Sequence, residues 1–272
     1  MSGRRVFVTG GASGLGRGLA ERYARAGCRV CVGDIHDARG AETAAALGGE
    51  AFYLRCDVRR EEELRAAADA LQARWGGVDV VVNNAGVAGA GAIEEVTVDD
   101  WLWILDINLL GVVRGCRVFT PVFKRQGGGH FVNVASMAGL LDVPLMSSYN
   151  ASKAAVVSLS ETLQNELEPF GVRVSVVCPS FFRTNLHESM RTGDPGLRHA
   201  VERLLERAPI PAEEVIDRIF GAVEAGEFYV LPHPLGRRAW RLKRVLPRGA
   251  YRKLMTKEMA RMRRASRPAD GG

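Results

Sequence analysis

Short apolar runs rich in β-branched residues alternate along this chain with longer segments whose apolar positions recur at helical spacing. The strands predicted from the short runs are Arg4–Thr9, Arg29–Asp34, Ala51–Cys56, Val78–Asn83, His130–Ala135, Arg173–Cys178 and Phe228–Leu231. The longer segments predict helices at Leu15–Ala26, Glu61–Arg74, Trp101–Gln126, Ser152–Glu168 and Ala212–Ala225. Most strand runs are continuously apolar, which is typical of parallel strands covered on both faces.

This alternation predicts right-handed βαβ units and therefore an α/β fold with one doubly wound parallel sheet of about seven strands and helices on both faces. We expect one catalytic domain over residues 1–235 and a basic C-terminal helical tail over residues 236–272. A looser stretch at about 180–210 follows a strand end and is predicted to be a substrate lid. Ligands of such sheets bind at the carboxyl ends of the strands.

Charge is distributed unevenly along the 272 residues. Residues 1–236 hold 24 basic and 29 acidic side chains, whereas residues 237–268 hold 13 Lys and Arg against one acid. The five cysteines lie in or beside apolar runs, which predicts buried thiols in a reducing compartment. Cys28 and Cys31 form a C-x-x-C pair, which can indicate a redox or metal site. Because they lie at the start of a predicted strand, we expect two ordinary strand residues instead. Because the sequence has no apolar leader and no run of about 18 apolar residues, we expect a cytoplasmic protein.

A glycine-rich turn, Thr9-Gly10-Gly11-Ala12-Ser13-Gly14-Leu15-Gly16, follows the first strand and opens the first helix. This context predicts a dinucleotide site, because the helix N-terminus offers N–H groups to a pyrophosphate and the glycines let the backbone approach it. Asp34 ends the second strand, where a carboxylate accepts hydrogen bonds from ribose hydroxyls and repels a 2′-phosphate. NAD is therefore the expected cofactor, and Arg17 and Arg39 keep NADP open as the alternative.

Further polar motifs fall at the ends of the expected strands and helices. They are the glycine turn, Asp57, Asn83-Asn84-Ala85-Gly86, Asn108, Ser136, and Tyr149 with Lys153. In this order they resemble the short, single-domain branch of the short-chain dehydrogenase/reductase family, over residues 4 to about 231. The resemblance implies a Rossmann-like fold, an oxidoreductase acting on CH–OH groups, and assembly as a homodimer or homotetramer. Ser180 departs from the family pattern, which has glycine after the proline at position 179.

The resemblance also assigns cofactor contacts. It places Asp57 and Val58 at the adenine, Asn83, Ala85 and Gly86 under the ribose, and Thr184 at the nicotinamide amide. Together with the glycine turn, the expected cofactor-binding residues are Gly10, Ser13, Gly14, Leu15, Gly16, Asp34, Ile35, Asp57, Val58, Asn84, Ala85, Gly86, Tyr149, Lys153, Pro179 and Thr184.

The residue types at the centre of this set suit proton transfer. Tyr149 and Lys153 are four residues apart and share one face of a helix. A nearby ammonium lowers the pKa of a phenol, so Tyr149 is the expected general acid/base. Ser136 lies at a strand end, where its hydroxyl would hold the substrate oxygen. By the resemblance, Lys153 also binds the nicotinamide ribose, and Asn108 holds a water that connects this lysine to solvent.

Apolar residues after the fourth, fifth and sixth strands are the candidates for a substrate pocket. They are Val87, Met137, Val143, Leu145, Met146, Phe181 and Phe182, and they predict a lipophilic alcohol, ketone or aldehyde. The five histidines show no ligand spacing, so no metal is expected. The alternatives are a dinucleotide-sensing regulator or scaffold on the same fold, and an NADP-dependent carbonyl or 3-oxoacyl reductase.

The C-terminal tail combines apolar residues at helical spacing with many cations. The apolar positions are Tyr251, Leu254, Met255, Met259 and Met262, and the cations around them are Arg252, Lys253, Lys257, Arg261, Arg263 and Arg264. Three roles fit this pattern. The tail could contact an anionic membrane at its surface, it could cover the active site or pack on a second subunit, or it could be a solvated helix docked along one stripe. Nucleic acid is not an expected partner, because only Trp240 and Tyr251 are available for base stacking.

Overall fold

The computed structural model describes residues 3–253 and Thr256. Its strands are β1 (Arg5–Thr9), β2 (Arg29–Asp34), β3 (Phe52–Arg55), β4 (Val80–Asn83), β5 (Gly129–Val134), β6 (Val172–Val177) and β7 (Tyr229–Val230). Its helices are α1 (Gly14–Arg25), α2 (Asp37–Leu47), α3 (Glu61–Trp75), α4 (Val98–Leu105), α5 (Gly111–Gln126), α6 (Ser147–Leu167), α7 (Pro195–Glu206), α8 (Ala212–Glu224) and α9 (Pro234–Val245).

All seven strands pair in parallel in the order β3-β2-β1-β4-β5-β6-β7. The direction of winding reverses between β1 and β4, and a crevice opens beyond the carboxyl ends of strands at such a point. The predicted fold class, a seven-stranded parallel sheet between two helical layers, is therefore confirmed.

Two apolar layers cover the sheet because successive strand side chains point to opposite faces. On one face Phe7 and Phe131 pack against α3, α5 and α6. On the other face Val8 and Val132 pack against α1 and α8. The five cysteines are all buried.

The predicted helix Trp101–Gln126 is one continuous helical segment that begins earlier, at Val98, and contains a π-helical turn at Asp106–Leu110. Such turns are rare and occur mostly at functional positions. The stretch at 180–210 is more ordered than expected, because α7 forms within it with the carboxylate of Asp194 capping its first N–H groups.

The start of the basic tail is a docked helix. Gly236 of α9 lies so close to Met137 that a Cβ there would meet its side chain at 3.1–3.3 Å. The ammonium of Lys243 donates to the carbonyl of Leu140 at 2.9 Å and forms an ion pair with Asp142. The predicted stripe residues Leu254, Met255, Met259 and Met262, and the cations Lys257, Arg261, Arg263 and Arg264, lie outside the described residues.

Candidate active site

The glycine-rich turn between β1 and α1 is packed so tightly that side chains are excluded. Gly10 has a φ of +62°, and a Cβ there would lie 2.8 Å from the Cα of Ala85. A Cβ on Gly16 would lie 2.1 Å from the carbonyl oxygen of Gly10. The first turn of α1 holds no acidic residue, so its N-terminal N–H groups and dipole are free of a competing carboxylate. This cradle fits a pyrophosphate.

Asn84 braces the turn from the side of β4. Its side-chain amide donates to the carbonyls of Thr9 and Gly10 at 3.0 and 3.1 Å. Its own N–H donates to the hydroxyl of Thr9 at 3.0 Å. Asn84 was expected to contact the cofactor, and the structure gives it a further role as the support of the loop that would do so.

Two carboxylates stand at the neighbouring strand ends. Asp34, at the end of β2, accepts from the N–H groups of Ala12 and His36, both at 3.0 Å, which fixes its carboxylate beside the glycine turn. Asp57 follows β3, and its ion pair and hydrogen bonds with Arg59 lower the pKa of its carboxyl. Val58 is buried beside it, and Ile35 is largely exposed at the rim.

Arg17 and Arg39, the two cations that kept NADP open as the alternative, are each paired with acids. Arg17 donates to Glu21 at 2.9 Å and to Glu42 at 3.4 Å. Arg39 donates at 2.9 Å to Glu188, which lies in the segment 180–210.

Tyr149, Ser136 and Lys153 meet at the ends of β5 and β6. Tyr149 is buried near the start of α6, 7% exposed, and a side-chain hydrogen bond joins it to Ser136. The hydroxyl of Ser136 accepts from the N–H of Ala138 at 3.1 Å and contacts the carbonyl of Pro179 at 3.4 Å. Lys153, one turn along α6, lies with its Nζ 5.9 Å from the centre of the Tyr149 ring.

Burial dominates the titration of this group in the chain alone. It raises the pKa of Tyr149, and the hydrogen bond with Ser136 only partly opposes the rise. Burial also lowers the pKa of Lys153 to about 8. The expected lowering of the Tyr149 pKa by the ammonium is not observed, because Nζ donates to the carbonyl of Val134 at 2.9 Å and lies over the ring rather than at the hydroxyl.

Asn108 lies in the π-helical turn and is fully buried. Its Oδ1 accepts from the N–H of Val87 at 2.8 Å, and its Nδ2 donates to the carbonyl of Val87 and the hydroxyl of Ser152 at 2.9 and 3.2 Å. Ser152 in turn donates to the carbonyl of Tyr149 at 2.8 Å. Gly86 lies between Asn108 and Lys153, since a Cβ there would be 3.1 Å from the first and 3.4 Å from the second.

Two polar groups that the sequence analysis did not single out extend this network below the site. Asn133 of β5 accepts from the amide of Asn83 at 2.9 Å and donates to Ser160 of α6 at 3.1 Å. Gly115 makes room for this contact, because a Cβ there would lie 2.2 Å from the amide oxygen of Asn83. The only signal in the sequence is the spacing of Ser152 and Ser160 from Tyr149 and Lys153, which places the two serines on the inward face of α6.

Apolar residues from four segments gather around Tyr149 on the side away from the glycine turn. Of the predicted pocket residues, this cluster contains Val87, Val143, Met146 and Phe181. The segment 180–210, predicted to be a lid, adds Leu186, Met190, Leu197, Val201 and Leu205, and α4 adds Trp103 and Ile104. The sequence analysis did not include these residues.

Three predicted pocket residues lie elsewhere. Met137 packs into the sheet core beneath Gly236, and Phe182 packs into the opposite apolar layer. Leu145 is partly exposed, with a φ of 60°. Met137 and Phe182 therefore pack in the two layers that cover the sheet and not in the cluster with Tyr149, and their place in a substrate pocket stays a prediction.

The segment after β6 closes the site. Pro179 accepts from the N–H of Met137 at 2.8 Å as well as contacting Ser136. Thr184 reaches the glycine turn, since a Cβ on Gly14 would lie 3.6 Å from the Cβ of Thr184. Ser180 has no positive φ, so the position does not require the family's glycine.

The residues that the structure describes contain no cluster of three or more His, Cys, Asp or Glu side chains arranged to hold a metal ion. None of the helices described is long and apolar enough to cross a membrane.

Comparison with known proteins agrees with this geometry. Residues 4–195 match the family model described as short chain dehydrogenase. A probable oxidoreductase, EphD of Mycobacterium tuberculosis, is 34% identical over 89% of this chain, which spans 43% of that longer relative. A probable galactose dehydrogenase, GalD of Rhizobium meliloti, is 35% identical over 78% of this chain and 85% of its own length.

A solved structure gives the same result in three dimensions. A short-chain dehydrogenase/reductase from Burkholderia phymatum, in complex with NAD, superposes with a TM-score of 0.84 and 35% identity, covering 89% of this chain and 92% of that one. The matched family model spans most of the chain and includes the glycine turn, Asn108, Ser136, Tyr149 and Lys153. This chain therefore belongs to the short-chain dehydrogenase/reductase family of oxidoreductases.

Proposed function

We propose that this protein interconverts an alcohol and a ketone or aldehyde with NAD(H), using Tyr149 as the general acid/base. The observation that carries the proposal is the buried junction of Tyr149 with Ser136, beside Lys153 and at the carboxyl edge of the sheet. A nicotinamide, when bound, accepts or supplies the hydride. The residues at this junction have the functional groups needed to handle the accompanying proton.

In the oxidation direction, Tyr149 accepts the proton of the substrate hydroxyl, and in the reverse direction it donates a proton to the carbonyl oxygen. Ser136 donates a hydrogen bond to the same oxygen and fixes its position. Lys153 donates to the carbonyl of Val134, so in the chain alone burial outweighs its charge at Tyr149, and the proposed task of this lysine is to bind the ribose of the nicotinamide. Asn108 and Ser152 hold the start of α6, and so they fix where the Tyr149 hydroxyl points.

NAD rather than NADP is the proposed cofactor. The carboxylate of Asp34 stands beside the glycine turn, where a 2′-phosphate would meet a negative charge. Arg17 and Arg39, the cations that would otherwise favour NADP, are engaged by Glu21, Glu42 and Glu188. The NAD complex of the Burkholderia phymatum relative supports the same choice.

The apolar cluster beside Tyr149 supports a lipophilic substrate. Its members Val87, Val143, Met146 and Phe181 place an apolar wall beside Tyr149. Such a wall favours an alkyl, alicyclic or aromatic group on the carbon that bears the oxygen. The named relatives include a dehydrogenase of a chlorinated cyclohexadiene diol, from Sphingobium indicum, whose substrate is of this kind.

We also propose that the chain self-associates as a dimer or tetramer. The surface formed by α4 and the π-helical turn exposes Val98, Leu102 and Leu110, an apolar face that a second copy would cover. Light scattering of the full chain would give the mass. Replacing Leu102 and Leu110 with serine should lower that mass, and a monomeric wild type would contradict this part of the proposal.

Peripheral contact with an anionic membrane is proposed for the basic C-terminal segment. The outer face of α9 exposes Leu235 (76%) and Val245 (81%) among arginines, and no acid occurs between Glu227 and Glu258. The full chain should sediment with vesicles of phosphatidylcholine and phosphatidylglycerol but not of phosphatidylcholine alone. Leu235→Ser with Val245→Ser should weaken this binding, whereas Ile93→Ser, an exposed control elsewhere, should not.

The enzymatic proposal is tested by NAD-linked turnover. Secondary alcohols of graded chain length, alicyclic alcohols and sugars would be offered with NAD and with NADP, and their carbonyl partners with the reduced cofactors. Tyr149→Phe should lower kcat by about 10²–10⁴-fold while NADH still binds, because only the acid/base group is removed. Tight NADH binding with no turnover across the panel would instead favour a dinucleotide-sensing regulator or scaffold.

Preference for NADP over NAD would favour the alternative of a carbonyl or 3-oxoacyl reductase. Turnover that survives Tyr149→Phe would remove Tyr149 from the proposed role. The same assay separates these outcomes, because cofactor preference appears in the ratio of NADP to NAD turnover and the role of Tyr149 appears in the kcat of Tyr149→Phe.

A further inference from the structure

His233 occupies an unusual place in the ladder between the last two strands. The N–H groups of Val176 and Cys178 donate to the carbonyls of Phe228 and Val230 at 2.7 and 2.9 Å, as in a regular parallel pair. The next N–H is that of Ser180, and it donates to the imidazole Nδ1 of His233 at 3.1 Å. A side chain thus replaces the backbone acceptor at the edge that carries the active site.

The regular acceptor for that N–H is occupied. The carbonyl of Pro232 is the next one along, and it accepts instead from the guanidinium of Arg218 at 2.8 Å. Without the His233 ring, the part-buried N–H of Ser180 would therefore lose this acceptor. A donor that is screened from water and left without an acceptor costs more than a hydrogen bond exchanged with water.

The His233 ring is suited to act as an acceptor. It is 5% exposed and packs against the ring of Phe182, with centroids 6.0 Å apart. Burial, together with the charge of Arg218, lowers its pKa, which favours the neutral ring. Because Nδ1 accepts from Ser180, the neutral tautomer consistent with this bond carries its proton on Nε2.

The position matters because of what lies on the other side of Ser180. The preceding residue, Pro179, presents its carbonyl to the N–H of Met137 at 2.8 Å and to the hydroxyl of Ser136 at 3.4 Å. The two-residue segment Pro179–Ser180 is therefore held between the turn that carries Ser136 and the ring of His233. Movement of this segment would shift a hydrogen-bond partner of Ser136.

We propose that His233 is a positioning residue, which holds the Pro179–Ser180 segment in register with Ser136 through the Ser180 N–H. The inference rests on the proposed function, because it assigns His233 a task in preparing that site. It also accounts for a serine at position 180. The segment is fixed by the ring of His233, three residues after the end of β7, and not by a glycine conformation, so a side chain at 180 is tolerated.

The test compares three variants of the full chain. His233→Asn keeps an acceptor, since the amide Oδ1 takes nearly the place of Nδ1. His233→Phe keeps a ring against Phe182 but has no acceptor. His130→Phe is the matched control, because His130 is also a buried histidine with a hydrogen bond, to Ser175 at 2.9 Å, but it lies at the opposite end of β5. For each we would measure the unfolding temperature, kcat, the KM for NAD and the affinity for NADH.

We expect His233→Phe to lower kcat/KM by about 5- to 150-fold, the loss expected for a buried N–H without an acceptor. His233→Asn should restore most of it. His130→Phe should lower the unfolding temperature and leave the kinetic constants of the folded enzyme unchanged. If His233→Phe keeps the wild-type kinetic constants, or if His233→Asn is damaged as severely as His233→Phe, the positioning role is refuted.

Folding and function remain separable in this design. If His233→Phe does not fold, His233→Asn is compared with His233→Gln, whose acceptor lies one bond further out. Wild-type kinetics in both variants would refute the role, and a selective loss in His233→Gln would support it. If the wild type itself turns over no substrate, the proposed function fails first, and unchanged NADH affinity in all variants then refutes the role of His233 as well.

Discussion

Lys153→Met should make the protein more stable near neutral pH while abolishing turnover. Lys153 is 4% exposed, and burial lowers its pKa to about 8 from 10.5. A lysine with a depressed pKa is destabilising when charged, because the folded state disfavours the ammonium. This penalty is fully present below pH 8 and fades as the pH rises towards 10.5.

The size of this penalty follows from the difference between a pKa of 10.5 and one of about 8. The difference corresponds to a loss of about 3 kcal/mol in the free energy of unfolding at pH 7, and about 2 kcal/mol of this loss disappears by about pH 9.5. Methionine fills a similar volume without the charge. The variant also loses the hydrogen bond from Nζ to the carbonyl of Val134, which costs about 1–3 kcal/mol. The net gain at pH 7 is therefore about 0–2 kcal/mol.

The change of the stability difference with pH is a sharper test than its value at pH 7. The contributions of the other titrating groups are the same in the variant and in wild type, so they cancel in this difference. Urea unfolding would be followed by circular dichroism at pH 7 and about pH 9.5, at one protein concentration, since assembly also contributes to stability. The variant's advantage should shrink by about 2 kcal/mol over this range. The exposed Lys124→Met serves as control and should show no such trend. A difference between Lys153→Met and wild type that does not change with pH would refute the burial of a charged lysine.

Three more predictions concern the cofactor cradle and the network below it. Asp34→Ser should raise kcat/KM with NADP relative to NAD by about 10²-fold or more. The reason is that the Asp34 carboxylate and the 2′-phosphate of NADP are like charges, and such a pair about 4 Å apart costs several kcal/mol near a protein surface. An unchanged ratio would exclude Asp34 from ribose recognition. Gly16→Ala should abolish NADH binding, measured by fluorescence, because its Cβ would lie 2.1 Å from the carbonyl oxygen of Gly10, and the fold should persist. Asn133→Leu should lower the free energy of unfolding by about 1–3 kcal/mol, because Asn83 and Ser160 lose their buried partner; a smaller loss in urea titration would mean that the network contributes little.

The sheet and the strand-end motifs were predictable because they depend on local patterns. Continuous apolar runs fix which segments become parallel strands, and the carboxyl ends of those strands carry the glycine turn and Asp34. The spacing of Tyr149 and Lys153 likewise fixes a shared helix face. Their meeting with Ser136 follows once β5 and α6 are placed side by side.

Other features depend on long-range contacts and left no local signal. Nothing in the run Trp101–Gln126 distinguishes a π-helical turn from an ordinary helix, yet this turn buries Asn108 against Val87. Met137 was expected to face the substrate, because a methionine after a strand end suits a pocket. Its actual direction is set by Gly236, a residue 99 positions away whose missing side chain admits it.

The rise in the pKa of Tyr149 also depends on long-range contacts. A Tyr-x-x-x-Lys pair suggests that the ammonium lowers the phenol pKa, but the chain alone buries both groups and gives the Lys153 ammonium a carbonyl partner. Near neutral pH burial therefore penalises the Lys153 ammonium, whereas Tyr149 is neutral and carries no such penalty. The surrounding bonds do not relax this state: Asn108 and Ser152 fix the start of α6, and Pro179 fixes Ser136. A scaffold that buries the ammonium of Lys153 at this position loses stability, and the prediction for Lys153→Met measures that cost directly.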